Sequence, residues 1–155
     1  MSASKAGSSK IAELVGSGDD TYVVVLRVRH PNLDPAELTK TLRVEPEHCW
    51  KAGDPRVSQT GQPIGGQHRD SYWSAPLPVE SVGGATLTRE VALSQQLLSL
   101  TQHRDFLKRL QTDGAELSLV VEIPPVEGPV MTLSAIALRR AADLNVEIEF
   151  QVVGD

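Results

Sequence analysis

The stretch Val146-Glu147-Ile148-Glu149-Phe150-Gln151-Val152 has the most regular alternation of apolar and polar residues in the chain. Successive side chains of a β-strand point to opposite faces of a sheet, so the four apolar residues share one face and the three polar residues share the other. This predicts a sheet with one face buried under helices and one open to water or to a partner. The carboxylates Glu147 and Glu149 are expected to lie opposite Arg27 and Arg29 as cross-strand pairs.

Three earlier segments also predict strands, over residues 22–29, 70–77 and 116–123. The second contains Pro76 and precedes Pro78, which is typical of a strand that ends at an edge. Between residues 45 and 66, proline, glycine and aspartate recur too often for a regular element of any length. We therefore predict a long irregular loop there.

Helix signals fall between these strands. Asp34-Pro35-Ala36-Glu37 predicts an N-cap followed by proline in the first turn, and this helix is expected to end near residue 42. Residues 88–111 predict the longest helix, with a break near 101–103. Ser134 is expected to cap a further helix through residue 142, after a brief strand over 130–132. The core stripe of the long helix comprises Leu93, Leu97, Leu100, Leu107 and Leu110, widened by Leu98 and Phe106.

This order of elements predicts the α+β class, as a two-layer sandwich with a mainly antiparallel sheet and helices packed on one face. A β-α-β pattern occurs twice, over residues 22–45 and 117–152, as a weak internal repeat. A doubly wound parallel sheet is disfavoured, because its strands are buried on both faces and would not carry Glu147 and Glu149. We predict a flexible N-terminal tail over 1–20 and a single α+β domain over 21–155.

The amino-acid composition argues against several classes of protein. The chain has 155 residues, a net charge of -5, 40% hydrophobic and 23% charged residues, so neither a disordered nor a membrane protein is expected. The excess of acidic residues disfavours nucleic acid as a partner, and no apolar run reaches the length needed to span a bilayer. Cys49 is the single cysteine and has no partner for an intramolecular disulfide. A cytoplasmic location is therefore expected.

The residues that most often perform catalysis or bind metals are scattered. The thiol of Cys49 has three candidate bases, His48, His30 and His68, but nothing around it resembles a nucleophile turn. Neighbouring residues on a strand point to opposite faces, so His48 and Cys49 are poorly placed to bind one metal ion. The glycine-rich stretch 61–66 lacks the Lys-Ser/Thr of a phosphate-binding loop. We assign no catalytic residue, no metal and no cofactor.

One cluster is a candidate ligand-binding or partner-binding site. Half of the six aromatic residues fall between residues 50 and 73. Trp, Tyr and Arg combine a large contact area with directed donors, which suits them to recognition. The alternative is that the tryptophans fill one end of an aliphatic core and Asp54 caps a turn. The candidate residues are Trp50, Asp54, Arg69, Tyr72 and Trp73.

Three short segments carry a family resemblance: Leu42-Arg43-Val44-Glu45-Pro46, Trp50-Lys51-Ala52-Gly53-Asp54 and Tyr72-Trp73-Ser74. With the capped helix before them and the leucine-rich helices and final strand after them, they resemble a bacterial family known as domain of unknown function 4279. The resemblance runs from about residue 22 to residue 152. It implies no activity and no catalytic residues, because none is established for that family.

Two hypotheses for function follow. The preferred one is a non-enzymatic binding or protein-interaction module of a bacterium, such as an accessory or immunity-like protein that blocks a partner through its acidic surface. Its partner is an unknown protein or small molecule. The alternative is a small cytoplasmic hydrolase or transferase with a site between the 45–70 loop and the sheet. Homodimerisation, through the open sheet face or an edge strand, is compatible with both.

Overall fold

The computed structural model describes residues 24–77, 89–123 and 131–152. These residues form two β-sheets and a layer of helices, and the sequence-based α+β assignment is confirmed. The elements in chain order are β1 (Val24–His30), α1 (Pro35–Leu42), β2 (His48–Trp50), β3 (Pro55–Val57), β4 (Pro63–Gln67), β5 (Ser71–Pro76), α2 (Arg89–Thr101), α3 (Arg104–Thr112), β6 (Glu116–Ile123), α4 (Ala135–Leu144) and β7 (Glu147–Val152).

The larger sheet has five strands in the order β2-β5-β1-β6-β7, and β3 pairs with β4 in a separate hairpin. Every pairing in the larger sheet is antiparallel except that of β6 with β7. At the centre, Val28 of β1 lies opposite Trp73 of β5 and Leu117 of β6, and all three side chains are buried. This face of the sheet carries the core.

The four helices of the described ranges all contribute side chains to that one core, as the predicted two-layer architecture requires. The opposite face of the sheet carries Arg27, Arg29 and Tyr72, which are partly or fully exposed, while Ser74 and Val120 on the same face are buried. None of the helices in the described ranges has the length and hydropathy required to cross a bilayer. The core residues from the helices are Leu38, Ala92, Leu93, Leu97, Leu100, Leu107, Leu110, Ala137, Ala141 and Leu144.

The internal β-α-β repeat is present. Asp34 and Ser134 cap α1 and α4, each accepting a hydrogen bond from a backbone N–H of the first turn. Both helices end on a left-handed residue, Arg43 (φ 59°) and Asn145 (φ 55°), the two non-glycine residues with positive φ in the described part of the chain. β6 and β7 are adjacent and parallel. β1 and β2 are also parallel, since both run antiparallel to β5, which lies between them.

The predicted break in the long helix is confirmed, because Gln102 and His103 separate α2 from α3. The five leucines of the predicted stripe are buried. Leu98 was expected to widen that stripe and does not: its side chain is 51% exposed. Phe106 is partly buried against the core.

The prediction of an irregular loop over residues 45–66 is wrong, because β2, β3 and most of β4 lie there. The residues that suggested a loop are turn and bulge positions between short strands. Gly61 (φ 84°) lies in the hairpin turn, which the Ser58 N–H closes by donating to the Gln62 carbonyl at 2.8 Å. Gly65 (φ 87°) and Gly66 (φ 78°) accompany an irregular register between β3 and β4.

The expected edge at the second predicted strand is also wrong, since β5 lies inside the sheet, between β2 and β1. β2 pairs only with residues 72–74 of β5. Pro76 is the last residue of β5 and lies beyond that pairing, so its missing N–H does not interrupt the ladder with β2.

The last strand is less buried than its alternation predicts. Val146 is buried and Ile148 is partly buried against the core, but Phe150 is 45% and Val152 66% exposed. β7 is an edge strand, so from Phe150 onward its apolar face extends past the core. The brief strand predicted at 130–132 is absent at Met131 and Thr132. Residues 1–23, with the predicted tail and the start of the first predicted strand, lie outside the described residues.

Candidate functional site

Four side chains form a stacked row on the open face of the sheet, which we call the aromatic ladder: His68, Trp50, Tyr72 and Arg29. Trp50 of β2 and Arg29 of β1 lie opposite Tyr72 of β5 in the strand register, so pairing brings three of them together. The Trp50 and Tyr72 ring centroids are 4.7 Å apart at an interplanar angle of 21°. His68 stacks on the other face of Trp50 at 4.1 Å and 15°. The Arg29 guanidinium carbon lies 5.4 Å from the Tyr72 centroid.

The aromatic ladder presents the edges of its stacked rings rather than a flat ring face. Its ring faces contact one another, so the ring edges are what a partner meets. The Trp50 indole nitrogen and the Tyr72 hydroxyl form no hydrogen bond with any described residue, and both side chains are partly exposed. The arrangement holds these two polar groups in place and leaves them available to a partner.

Trp73 lies on the opposite face from Tyr72, since the two are consecutive residues of one strand. Its side chain is 1% exposed, and its indole N–H donates to the Thr39 hydroxyl of α1 at 3.0 Å. Trp73 therefore fixes α1 against β5. The structure brings Trp50 and Tyr72 together but separates Trp73 from them.

Asp54 caps the turn that leads into the hairpin. Its carboxylate accepts a hydrogen bond from the Lys51 N–H at 2.9 Å. The Gly53 N–H donates to the His68 carbonyl at 2.8 Å, and the His68 N–H donates to the Asp54 carbonyl at 2.9 Å. Gly53 has φ 94°, a conformation that favours glycine. Asp54 thus joins the base of the hairpin to the ladder.

We call residues 55–67, which comprise β3, β4 and their turn, the hairpin arm. Every residue of its two strands is exposed. The arm presents Val57 and Ile64 to solvent, each 53% exposed. A two-stranded hairpin with no buried face is marginally stable alone, so its attachment at the base is what orders it.

Arg69 follows directly after His68 and is exposed. Within the described ranges it forms no hydrogen bond and no ion pair. Its neighbour Asp70 lies 3.9 Å from the Arg29 guanidinium at the end of the ladder. Arg69 is therefore a free cation beside the ladder, among the residues that the structure describes.

The open face also contains an ion pair between two of the residues expected to interact. The expectation that Glu147 and Glu149 lie directly opposite Arg27 and Arg29 is wrong, because β6 lies between β1 and β7 and Arg29 lies near Asp70 instead. Arg27 of β1 and Glu149 of β7 are bonded across the intervening strand β6. The Arg27 Nε also donates to the Ser118 hydroxyl of β6 at 3.3 Å. Arg27 therefore neutralises part of the acidic face of β7.

A groove of about 600 Å³ runs between α1 and β2, and Cys49, Trp50 and Asp54 contribute to its lining. Cys49 is exposed there, on the helix side of β2. His48 points to the open face and His68 stacks on Trp50, and no histidine lines the groove. Among the described residues, no cluster of three or more His, Cys, Asp or Glu side chains is arranged to hold a metal ion.

Sequence reasoning missed Arg29, His68 and the hairpin arm. Arg29 is adjacent to Tyr72 only through the β1–β5 register, and His68 reaches Trp50 only because the hairpin folds back. It also missed a groove of about 690 Å³ lined by Arg43, Gln95 and His103, which the junction of α2 and α3 creates next to the end of α1. The only local signal for the arm was a polar turn segment with a glycine, residues 58–61, between the single apolar residues Val57 and Ile64.

Comparison with known proteins identifies the family. The family described as domain of unknown function DUF4279 matches residues 20–154, which include the ladder, the hairpin arm and the groove. No curated protein and no solved structure matches the chain. The match covers nearly the whole chain and confirms the resemblance drawn from its short segments. The chain therefore belongs to the DUF4279 family.

Proposed function

We propose that the chain is a non-enzymatic protein-interaction module, and that its recognition surface is the hairpin arm together with the aromatic ladder. One observation carries the proposal: a hairpin whose strand residues are all exposed is attached at its base by backbone hydrogen bonds to His68, which stacks on Trp50. A protein gains nothing in its own core from such an arm. Contact with a partner gives the arm a buried face.

The chemistry of the ladder supports recognition. Trp, Tyr and Arg are the residue types most enriched among residues that dominate interface energies. Stacking already restricts the side chains of Trp50, Tyr72 and His68, so binding would cost them less conformational entropy than it costs free side chains. Preorganised anchors of this kind favour a specific partner.

The shape of the surface supports a protein partner over a small molecule. Small-molecule sites are concave and enclose most of their ligand, whereas the arm projects and exposes Val57 and Ile64. A standard protein interface needs roughly 800 Å² on each partner, and the hairpin arm and the aromatic ladder together offer an extended surface. The surface itself carries Arg29, Arg56 and Arg69, so its local charge favours an acidic patch on the partner, although the chain as a whole has a net charge of -5.

The role we propose for the chain is that of an accessory or immunity-like bacterial protein, which covers a functional surface of its partner. We place it in the cytoplasm, because its single cysteine, Cys49, is an exposed free thiol.

The test begins with capture of partners from a source lysate by the tagged full chain, followed by titration of each purified partner in a calorimeter. Trp50→Ala, Tyr72→Ala and Ile64→Asp are each expected to weaken binding at least tenfold. Leu138→Ala is the matched control, since Leu138 is an exposed residue of α4 on the helix layer. Equal affinity for all four variants and the unmodified chain would contradict the proposal. Ile64→Asp changes an exposed residue of the arm, outside the core, and keeps the test valid if a ladder variant unfolds.

A second candidate function is a hydrolase or transferase that acts in the groove between α1 and β2. The observation that favours it is the exposed thiol of Cys49, which shares the groove with Asp54. A thiol nucleophile requires an activating base, and the ionisable side chains near it in the groove include Lys40 and Lys51. Multiple-turnover hydrolysis of a chromogenic ester, abolished by Cys49→Ala, would support this function. Hydrolysis that is absent or unaffected by Cys49→Ala would contradict it.

A further inference from the structure

The outer edge of β7 is an unprotected sheet edge. β7 pairs with β6 on one side and with no other strand of the described part. Natural proteins protect sheet edges with short strands, charged side chains, proline, bulges or covering elements. Of these, β7 has charged side chains, Glu147 and Glu149, and Arg27 pairs with the second. The opposite edge follows that rule, because β2 has only three residues. β7 has six residues with no proline, glycine or bulge, so its free N–H and C=O groups remain available for pairing.

The same strand has an apolar face that the core leaves uncovered. Phe150 is 45% and Val152 66% exposed, and both lie on the helix side of the sheet with Ile148. An exposed edge combined with exposed apolar side chains is a template for strand addition. The other face of β7 carries Glu147, Glu149 and Gln151, so an added strand must tolerate negative charge there.

We propose that β7 pairs antiparallel with β7 of a second copy of this chain, about a two-fold axis at Phe150. In this register Phe150 lies opposite the partner's Phe150, and Ile148 lies opposite the partner's Val152. On the open face, Glu149 lies opposite the partner's Gln151. Five residues of each strand pair, with apolar residues facing apolar residues and each carboxylate facing an amide.

The alternative registers are less favourable. An axis at Glu149 places two carboxylates directly opposite each other, which is destabilising. An axis between Glu149 and Phe150 is excluded, because it sets residues of opposite faces against each other, whereas directly opposed residues of antiparallel strands share a face. An axis at Ile148 or Gln151 pairs only three residues. The axis at Phe150 also preserves the bond between Arg27 and Glu149, since that pair lies on the open face. The strand is therefore self-complementary, as a two-fold interface requires.

The dimer has a defined architecture. An axis perpendicular to the sheet keeps both helix layers on one side and joins the two sheets into ten strands. It brings together the two copies of α4, which packs on β7 and exposes Leu138. β2 lies at the far edge, so both hairpin arms remain free at opposite ends. The inference is independent of the proposed function and would make that module bivalent.

Sedimentation velocity of the full chain between about 1 and 100 μM provides the first test. The expected species has twice the chain mass of 16.7 kDa. Phe150→Lys is expected to raise the dissociation constant at least tenfold, while the control Ile64→Lys, on the hairpin arm, leaves it unchanged. Circular dichroism and thermal unfolding show whether each variant is folded. A chain that stays monomeric at 100 μM would overturn the proposal.

Disulfide cross-linking in a Cys49→Ala background tests the register. Directly opposed residues of antiparallel strands have Cα atoms about 4.5–5.5 Å apart, within the range of a disulfide. Phe150→Cys is therefore expected to form a covalent dimer under mild oxidation. Glu149→Cys, one residue away, leaves the two thiols displaced along the strands and is expected to cross-link at least tenfold more slowly. A dimer that links fastest through position 149, or that does not link through position 150, overturns the proposed pairing.

Discussion

The indole of Trp50 and the phenol ring of Tyr72 stack at 4.7 Å, although the next residue along β5, Trp73, points to the opposite side of the sheet. One strand thus supplies a partly exposed residue of the aromatic ladder and a core anchor from adjacent positions. The two neighbouring aromatic residues therefore contribute differently to the free energy of unfolding. Substituting each one separately measures the difference.

Tyr72→Ala is expected to lower the free energy of unfolding by about 1–2 kcal/mol, because Tyr72 loses contacts with both Trp50 and Arg29. Urea denaturation followed by circular dichroism measures the loss. Tyr72→Phe keeps the stacking ring and is expected to retain most of the stability. A Tyr72→Phe variant as unstable as Tyr72→Ala would show that the hydroxyl, rather than stacking, holds the ladder together.

Trp73→Ala is expected to cost about 3–5 kcal/mol, the range for removing a large aromatic side chain from a core. The variant also leaves the Thr39 hydroxyl without its indole donor. Thermal unfolding by calorimetry gives the comparison with Trp50→Ala, which removes a partly exposed ring and is expected to cost less than half as much. Similar costs for the two tryptophans would contradict their assignment to opposite faces.

His30→Ala is expected to destabilise the end of β1 by about 1–3 kcal/mol, the cost of leaving buried donors unpaired. The buried imidazole accepts hydrogen bonds at Nδ1 from the Leu33 N–H at 2.9 Å and the Asn32 N–H at 3.1 Å. His30→Asn is the matched variant, since its side-chain carbonyl accepts from the same N–H groups in an Asx turn. In equilibrium unfolding, the unmodified chain should have the highest free energy of unfolding, His30→Asn an intermediate value and His30→Ala the lowest. Equal stability of the Ala variant and the unmodified chain would rule out this role.

Arg43→Gly is expected to raise the free energy of unfolding by about 0.5–1 kcal/mol. Arg43 holds φ at 59°, where a side chain is disfavoured and glycine is not. Arg43→Val, with a β-branched side chain at the same φ, is expected to lower stability instead. Chemical denaturation of both variants provides the measurement, and a destabilised glycine variant would mean that the Arg43 side chain contributes more than its backbone strain costs.

The ion pair between Arg27 and Glu149 is expected to contribute less than about 1 kcal/mol, because both side chains are substantially exposed. A double-mutant cycle with Arg27→Met and Glu149→Gln isolates the pair from the Arg27 hydrogen bond to Ser118. The coupling should decrease as salt is raised. Coupling that is unchanged by salt would show that the pair is shielded from solvent.

Much of the fold could be predicted because its signals are local. Capping by Asp34 and Ser134, the break after α2 and the alternation of β6 each depend on residues within a few positions of one another. The hairpin arm could not be identified, since its glycines are typical of a loop until the pairing of β3 with β4 is known. The site was predicted in part: Trp50 and Tyr72 meet, while Arg29 joins them from a distant strand.

The sequence by itself determined the described helices, the strands β1, β5, β6 and β7, the core-facing residues of most of these elements, and that the class is α+β. Only the tertiary structure decided that β5 is an interior strand, that Trp73 belongs to the core and Trp50 to the ladder, and that β7 ends with Phe150 and Val152 uncovered. The physical reason is the range of the interactions. Hydrophobic periodicity and capping act within one element, whereas strand order and register depend on contacts between segments far apart in the chain.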